Sequence, residues 1–353
     1  MTVDHLIWVL EKVAEHALAS FASWSNFTAA MGKIAGIFTD LESGMAWPYL
    51  LASLVVAGGV FLWSGPVDRQ SSRSFGAFLF PREVYLHASA ILDYKFHAIN
   101  LCLKFLLYVP IMVGMGTVGY KIMSALLIGF CSWQPPGRLS TAQALGAAFG
   151  FFLLYDCINY WTHVCFHKIP ALWAFHKVHH SAQVLTPVTA YRGHPMELFL
   201  PAFMQMPVIG LASVFYQNVV PRDLEVTTIF GVGLFAFVFG LFGHHLQHSH
   251  VWLSFGPLLS RLYISPAQHQ IHHSRDVRHS NKNFGVKFAL WDWLFGTLYV
   301  PTCRESLRVG LLESDTHGFT NVGQLYFRPF AEIFGGLAMS PGRKRVGRCV
   351  LNR

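Results

Sequence analysis

The sequence predicts an all-α integral membrane protein, in which a bundle of about four to five transmembrane helices carries a cytosolic helical cap rich in histidine. Three observations support this fold class. Hydrophobic residues make up 53% of the 353 residues and charged residues only 12%, whereas soluble domains carry roughly 25% charged residues. Five apolar runs approach the length that crosses a bilayer. Fourteen of the 19 histidines lie between positions 163 and 279.

The apolar runs divide the chain into three predicted regions. Residues 1–47 are moderately amphipathic, which predicts an N-terminal interfacial segment. Residues 48–320 are predicted to form one membrane-embedded domain with its core at about 142–300, and residues 321–353 a basic C-terminal tail. The five apolar runs are 48–63, 100–130, 142–161, 198–216 and 226–246.

Basic residues predict the orientation. Because basic loops stay in the cytosol, the histidine segments are expected to face it, across either a bacterial inner membrane or the endoplasmic reticulum. Residues 100–130 fit either one kinked span or a tight hairpin, and the four basic residues in 64–98 favour one crossing. The basic residues around the histidines are Lys168, Lys177, Arg192, Arg261, Arg275, Arg278, Lys282 and Lys287.

Charge and cysteine usage exclude several classes. The net charge of +8 is concentrated partly in Arg343, Lys344, Arg345 and Arg348, which fit lipid headgroups. No basic helix interleaved with aromatic residues accompanies them, so nucleic acid is not an expected partner. The six cysteines form no CxxC pair and are interpreted as reduced thiols. The N-terminus lacks the basic start of a signal peptide.

The histidines fall into four groups at helical spacing. Residues three or four apart share one helix face, and imidazoles on one face are costly to bury unless something takes up their lone pairs. A transition metal does so. The ten candidate ligands are His163 and His167; His176, His179 and His180; His244 and His248; and His269, His272 and His273.

Ten nitrogen ligands are too many for one ion and suit two. Structural zinc sites take four ligands and normally include cysteine, and the HExxH motif of zinc proteases does not occur in this sequence. Soluble carboxylate di-iron bundles use Glu and ExxH instead. The pattern therefore favours a histidine-rich site for two iron ions (Fe2+/Fe3+) that uses O2 as co-substrate beside a membrane.

These motifs resemble the fatty acid hydroxylase superfamily, also called the sterol desaturase family. The resemblance runs from about Asp156 to Tyr299 and includes HVCFHKIPALWAFHKVHHS, AYRGHP, PAQHQIHH, NFG and WDWLFGT. It implies that residues 142–300 are a catalytic core. It also implies a non-haem di-iron site that attacks an unactivated C–H bond of a sterol or fatty acyl lipid with O2 and electrons.

The chain departs from the family pattern at two positions. Val164 stands where the family often has Arg, and His250 where it often has Asn; both bear on which lipid is the substrate. A haem-binding HPGG motif does not occur in the sequence, so the electrons are expected from a separate protein, namely cytochrome b5, a ferredoxin or a reductase.

Five further residues are candidates to support the ligands from outside. Asp156 lies two turns before His163 on the same helix face, where its carboxylate could accept the distal N–H of a ligating imidazole. His194 belongs to a family-like RxHP stretch and is kept outside the ligand set. The remaining candidates are His250, His279 and Asp292.

Three other functions compete with lipid hydroxylation. Desaturation would use the same site and differ only in the fate of the substrate after the first hydrogen is removed. A zinc-dependent membrane hydrolase would bind zinc instead of iron. A metal transporter should place its ligands inside the spans near the membrane midplane, whereas these histidines cluster at the ends of the runs.

Overall fold

The computed structural model describes residues 8, 11–12, 14–41, 43–63, 74–132, 137–219, 228–229, 232–311 and 319–338. These residues are mostly helical, with one antiparallel pair of two-residue strands, Thr228–Ile229 and Val232–Gly233. The α-helices outside the long spans are Trp24–Ala35, Trp47–Trp63, Phe75–Leu79, Arg82–Tyr85, Pro170–His180, Leu234–Leu241, Gly256–Leu259, Pro266–His272, Leu290–Phe295 and Val322–Ala338. The 3-10 turns are Ala19–Phe21, Pro187–Tyr191, His244–Leu246 and Val277–His279.

Three of the described helices are long and apolar enough to cross a membrane. They are Ala88–Gly129, Thr141–Lys168 and Pro195–Val219, here called the first, second and third spans. The first is continuous over 42 residues, so the hairpin alternative for residues 100–130 is wrong. At about 1.5 Å per residue it is roughly twice as long as the ~30 Å hydrocarbon core. Part of this helix therefore extends beyond the bilayer.

The predicted run at 48–63 forms the helix Trp47–Trp63, whose 17 residues leave it shorter than the three spans. At about 1.5 Å per residue it is about 26 Å long, slightly less than the hydrocarbon core. Its C-terminal half packs on the histidine-bearing region, since Ala57 belongs to one buried cluster with Leu246 and Val251. This helix links the N-terminal segment to the cap.

The predicted span at 226–246 is wrong in the part that the structure describes. Residues 228–229 and 232–233 form the strand pair, and the helix that follows, Leu234–Leu241, has only eight residues. About 20 residues are needed to cross a bilayer as a helix. Residues 220–227, 230 and 231 lie outside the described residues, and so does part of the predicted antiparallel hairpin with residues 198–216.

The first and third spans approach each other at a pair of glycines. A Cβ on Gly210 would lie 2.4 Å from the carbonyl oxygen of Gly119, and one on Gly119 would lie 2.7 Å from that of Met206. Small residues allow such close backbone contact between membrane helices. This contact fixes the third span, whose N-terminus begins just after His194, against the first.

The C-terminal helix Val322–Ala338 belongs to the folded domain. Leu325 is fully buried in a cluster with Phe96 of the first span and Val178 of the helix Pro170–His180. The prediction set a domain boundary at residue 320, and the packing of Leu325 joins this helix to residues on the other side of that boundary. The basic run of residues 343–348 lies outside the described residues.

Candidate metal centre

Nine of the ten predicted ligands come together in two groups of imidazoles. Within each group, one ligand atom from every side chain lies within 4.8 Å of the others. We call them the five-histidine group and the four-histidine group. The first comprises His163, His167, His176, His180 and His272, and the second His179, His248, His269 and His273.

Helix geometry explains how each HxxHH triplet divides between the groups. His176 and His180 enter the five-histidine group, whereas His179 enters the four-histidine group. Residues four apart lie about 40° apart around a helix, but adjacent residues lie about 100° apart. The second triplet divides in the same way, with His269 and His273 in the four-histidine group and His272 in the other. Each triplet therefore ties the two groups together.

The rings of the five-histidine group have the arrangement of a square pyramid. His163, His176, His180 and His272 form a closed ring of neighbours with centroids 4.6–5.0 Å apart. The His167 ring lies 4.7–5.0 Å from all four. These five imidazoles could hold one metal ion through their ring nitrogens.

The nitrogen distances in the four-histidine group fit a shared ion. Nε2 of His248 lies 3.2 Å from that of His179, 3.1 Å from that of His273 and 3.0 Å from that of His269. An imidazole nitrogen has either one proton or one lone pair, so these three contacts cannot all be hydrogen bonds. Two nitrogens at right angles, each about 2.1 Å from one ion, would lie about 3.0 Å apart.

Unsatisfied nitrogens indicate a ligand in the five-histidine group as well. Nε2 of His167, His180 and His272 is buried and has no hydrogen-bond partner among the described residues. A buried polar atom left in this state costs about 1–3 kcal/mol. Three such atoms aimed into one group are explained if they bind a metal, and the residues present fit that role.

Burial keeps the imidazoles neutral, which metal binding requires. In the cap, desolvation lowers the pKa of His179 to about 3, with smaller contributions from His163 and Arg192. The same cause lowers the pKa of His269 and of His273 well below its usual range. At neutral pH these rings therefore present lone pairs rather than charge.

Hydrogen-bond partners outside the two groups determine which ring nitrogen of three histidines is free to bind a metal. The Nδ1 atoms of His163 and His272 lie 2.8 Å from the carbonyl oxygens of Phe284 and Lys282. Nδ1 of His176 lies 2.6 Å from Oε2 of Glu197. An N–H donated from Nδ1 leaves the lone pair on Nε2 and holds the ring in place.

Glu197 is the supporting carboxylate that sequence reasoning missed. It follows directly on the RGHPM stretch, and its other oxygen, Oε1, accepts the backbone N–H of His194 at 2.7 Å. His194 caps the same turn through Nδ1 and contacts the Tyr326 carbonyl through Nε2. His194 therefore positions Glu197. The spacing of three residues between them is the capping-box signal that could have revealed it.

The hypothesis that Asp156 supports His163 is wrong. Asp156 accepts hydrogen bonds from the Phe288 backbone N–H at 3.2 Å and the Trp291 indole at 3.0 Å. Asp292 lies nearer to the ligands, because it accepts the backbone N–H groups of Phe284 and Gly285 at 2.8 and 2.7 Å. It thereby holds the loop whose Phe284 carbonyl orients His163.

His250 and His279 lie away from both groups. Nε2 of His250 contacts the Phe78 carbonyl oxygen at 2.6 Å, which ties the helix Phe75–Leu79 to the cap. Nε2 of His279 lies 3.1 Å from Glu305. Among the described residues, neither side chain forms a hydrogen bond with a histidine of the two groups. The structure therefore does not place them as supports of the ligands.

His244 is the one predicted ligand outside both groups. The prediction placed His244 and His248 on one helix face, but the helix ends at Leu241 and Gly243 adopts the left-handed conformation with φ 76°. His244 then starts a 3-10 turn, where residues four apart no longer stack. Its ring lines an apolar cavity instead.

A buried ion pair supports the end of the first HxxHH helix. Arg192 and Asp93 are 1% and 0% exposed and form a direct salt bridge. Nε of Arg192 also donates to the Val178 carbonyl at 2.9 Å, and Nη2 to the Ser181 hydroxyl at 2.8 Å. The pair therefore connects the first span to the helix that carries His176, His179 and His180.

Comparison with known proteins agrees with this site. The family model "Fatty acid hydroxylase" matches residues 148–297, which contain all nine grouped histidines. Residues 148–297 form a fatty acid hydroxylase domain. No solved structure matches the chain.

Curated relatives of this fatty acid hydroxylase domain carry lipid-oxidising names. The ornithine lipid hydroxylase of Rhizobium tropici is 29% identical over 53% of this chain and 50% of its own length. Human alkylglycerol monooxygenase is 25% identical over 61% of this chain and 45% of its own length. Methylsterol monooxygenase erg25B of Aspergillus fumigatus is 26% identical over 46% of this chain and 51% of its own length. The chain thus spans about half the length of the curated relatives it matches.

Replacing Glu197 should weaken metal binding in the five-histidine group. In Glu197→Ala, His176 loses the partner that fixes its tautomer, and such losses cost about 10- to 100-fold in metal affinity. After dialysis against a chelator, elemental analysis should find about one ion fewer per chain. The control is Met196→Ala, a neighbour that is 39% exposed. Equal metal content in the two variants would contradict this role.

Two separate alanine substitutions test whether His248 is a metal ligand and His244 is not. His248→Ala should lose the ion of the four-histidine group, because three nitrogens converge on its Nε2. His244→Ala should keep the wild-type metal content in the same elemental analysis. If His244→Ala loses an ion as His248→Ala does, His244 is a ligand after all.

Proposed function

We propose that the protein hydroxylates an unactivated C–H bond of a membrane lipid, using two iron ions, O2 and external electrons. The observation that carries this proposal is the pair of adjacent imidazole groups inside a fatty acid hydroxylase domain. The sterol, ether-lipid and ornithine-lipid names of the relatives support a lipid substrate.

The donor set supports iron over zinc. Both groups contain imidazole nitrogens only, whereas structural zinc sites take four ligands and usually include cysteine. The five-histidine group would hold one iron ion through imidazole nitrogens. Bound iron would supply O2 activation and removal of hydrogen from carbon. The chain itself supplies neutral ligands, fixed tautomers and a site shielded from water.

The adjacency of the groups supports cooperation of two ions in one reaction. The His180 ring of one group stacks on the His273 ring of the other with centroids 4.5 Å apart. His179 and His180, and likewise His272 and His273, are consecutive residues that serve different groups. Movement of one metal site would therefore be transmitted to the other through two short segments.

An apolar cavity beside the four-histidine group offers a place for the lipid chain. Its volume is about 310 Å³, and it reaches from Phe149 and Phe152 of the second span to Pro266 of the helix that carries His269. His244 and Gln247, which precede His248 in the chain, supply polar groups to its lining. An alkyl chain that enters between membrane helices would be guided toward the metals and away from water.

The placement of the groups supports a surface enzyme rather than a transporter. His163 and His167 lie in the last turn and a half of the second span, and the other seven histidines lie beyond the span ends. We infer that the cap faces the cytosol, since the basic residues of the histidine segments favour that side. Electrons would then come from a separate cytosolic or membrane-attached donor, namely cytochrome b5, a ferredoxin or a reductase.

Lipid mass spectrometry tests the proposed function. Cells that express the chain should contain lipids with one added oxygen, and cells that express His272→Ala should not, because this change removes a ligand of the five-histidine group. Membrane insertion of both forms is checked by fractionation. A product lacking two hydrogens would indicate desaturation instead. If both forms are inserted in the membrane and the wild type contains iron, but the lipids of the cells are unchanged, the proposed oxygenase function is wrong.

A further inference from the structure

A basic groove on the cap is lined by Ser274 and Arg275, which directly follow His273 of the four-histidine group. Two adjoining concavities of about 570 and 480 Å³ share Arg275 and Arg308. Arg278 and His279 line the first, and His87 lines the second. We call this surface the arginine groove. Resting on the proposed function, we propose that it is the docking site of an acidic one-electron carrier protein.

The positive charge of the arginine groove favours an acidic partner. Arg278 is paired with Asp276 at 2.7 Å and lies 3.7 Å from Glu305. Arg275 and Arg308 have no ion-pair partner among the described residues, and Arg308 is exposed. Among the described residues, the groove therefore offers two guanidinium groups without an ion-pair partner, and Asp276 is the one carboxylate that lines it. Such a surface attracts an acidic protein and accelerates its encounter.

The position of the arginine groove next to a histidine of the four-histidine group favours an electron carrier. The groove wall contains the bridge between Ser274 and Val309, and the Arg275 N–H donates to the Arg308 carbonyl at 3.0 Å. His273, which belongs to the four-histidine group, precedes Ser274. Consecutive Cα atoms are 3.8 Å apart, so the backbone of Arg275 lies within about 7.6 Å of that of His273. An electron arriving at the groove would have a short covalent path to a metal ligand.

The reaction requires such a partner. Conversion of R–H and O2 to R–OH and H2O consumes two electrons and two protons, and neither the lipid nor O2 supplies these two electrons. A one-electron carrier would dock twice per product and leave in between. A small, charged surface suits such a transient contact, because electron-transfer interfaces are among the smallest known.

Charge reversal at Arg308 tests the docking site. In membranes of the native cell type, product formation driven by NADH or NADPH through the endogenous carriers is compared with single-turnover product formation driven by dithionite. In Arg308→Glu we expect the carrier-driven rate to fall about 5- to 20-fold, within the range of electrostatic steering. The dithionite-driven yield and the iron content should match those of the wild type.

The control is Arg138→Glu, an equal charge change at an exposed residue just before the second span begins, at the end remote from His163 and His167. It should keep the carrier-driven rate. Added salt should slow the wild type and this control, but have little effect on Arg308→Glu. An unchanged carrier-driven rate in Arg308→Glu would overturn the docking site.

Two further outcomes separate this proposal from others. If Arg308→Glu lowers the dithionite-driven yield as strongly as the carrier-driven rate, the groove serves the substrate or the metal site, and the docking proposal is wrong. If the wild type forms no oxygenated lipid with either reductant, the proposed hydroxylase function fails and the docking proposal fails with it.

Discussion

Nine imidazole side chains, seven of them buried and those of His163 and His167 half-buried, form the two histidine groups of this protein. Their nitrogens approach one another to 3.0–3.2 Å, where neutral rings cannot all hydrogen-bond. Only a shared cation turns these contacts from a cost into a stabilising interaction. We infer that metal binding contributes directly to the stability of the cap, because the same residues hold its helices together.

The remaining structure serves to hold these rings in place. Arg192 ties the helix Pro170–His180 to Asp93 in the first span. Glu197, at the start of the third span, orients His176, and Asp292 holds the loop that orients His163. Each of the three supporting residues lies on a different segment. The ligand geometry therefore depends on the packing of the whole domain, including the C-terminal helix around Leu325.

Much of the site could be predicted because helix periodicity is a local property. The spacing of His163 and His167, and of both HxxHH triplets, named eight of the nine histidines that the structure groups together, and His248 was also named. His244 was misplaced because Gly243 ends the helical geometry with a positive φ, a break that the histidine spacing itself does not reveal. The supporting carboxylate could not be chosen correctly, since Glu197 meets His176 through tertiary packing rather than through a shared helix.

The fold was predicted less completely for a similar reason. Apolar composition indicated where helices can enter a membrane, but not how long each helix is. The strand pair at 228–233 and the short helix Leu234–Leu241 replace a predicted span. Val322–Ala338 was assigned to a basic tail, yet it packs one face on the cap and leaves Phe327 exposed.

We propose that two iron ions are bound by imidazole nitrogens in this chain. X-ray absorption at the iron edge, on protein purified from cells grown with iron, tests it most directly when combined with elemental analysis. We expect two irons per chain with a nitrogen-dominated shell at about 2.1 Å and the multiple-scattering signature of histidine. Zinc in place of iron, one ion per chain, or a shell dominated by sulfur would contradict it.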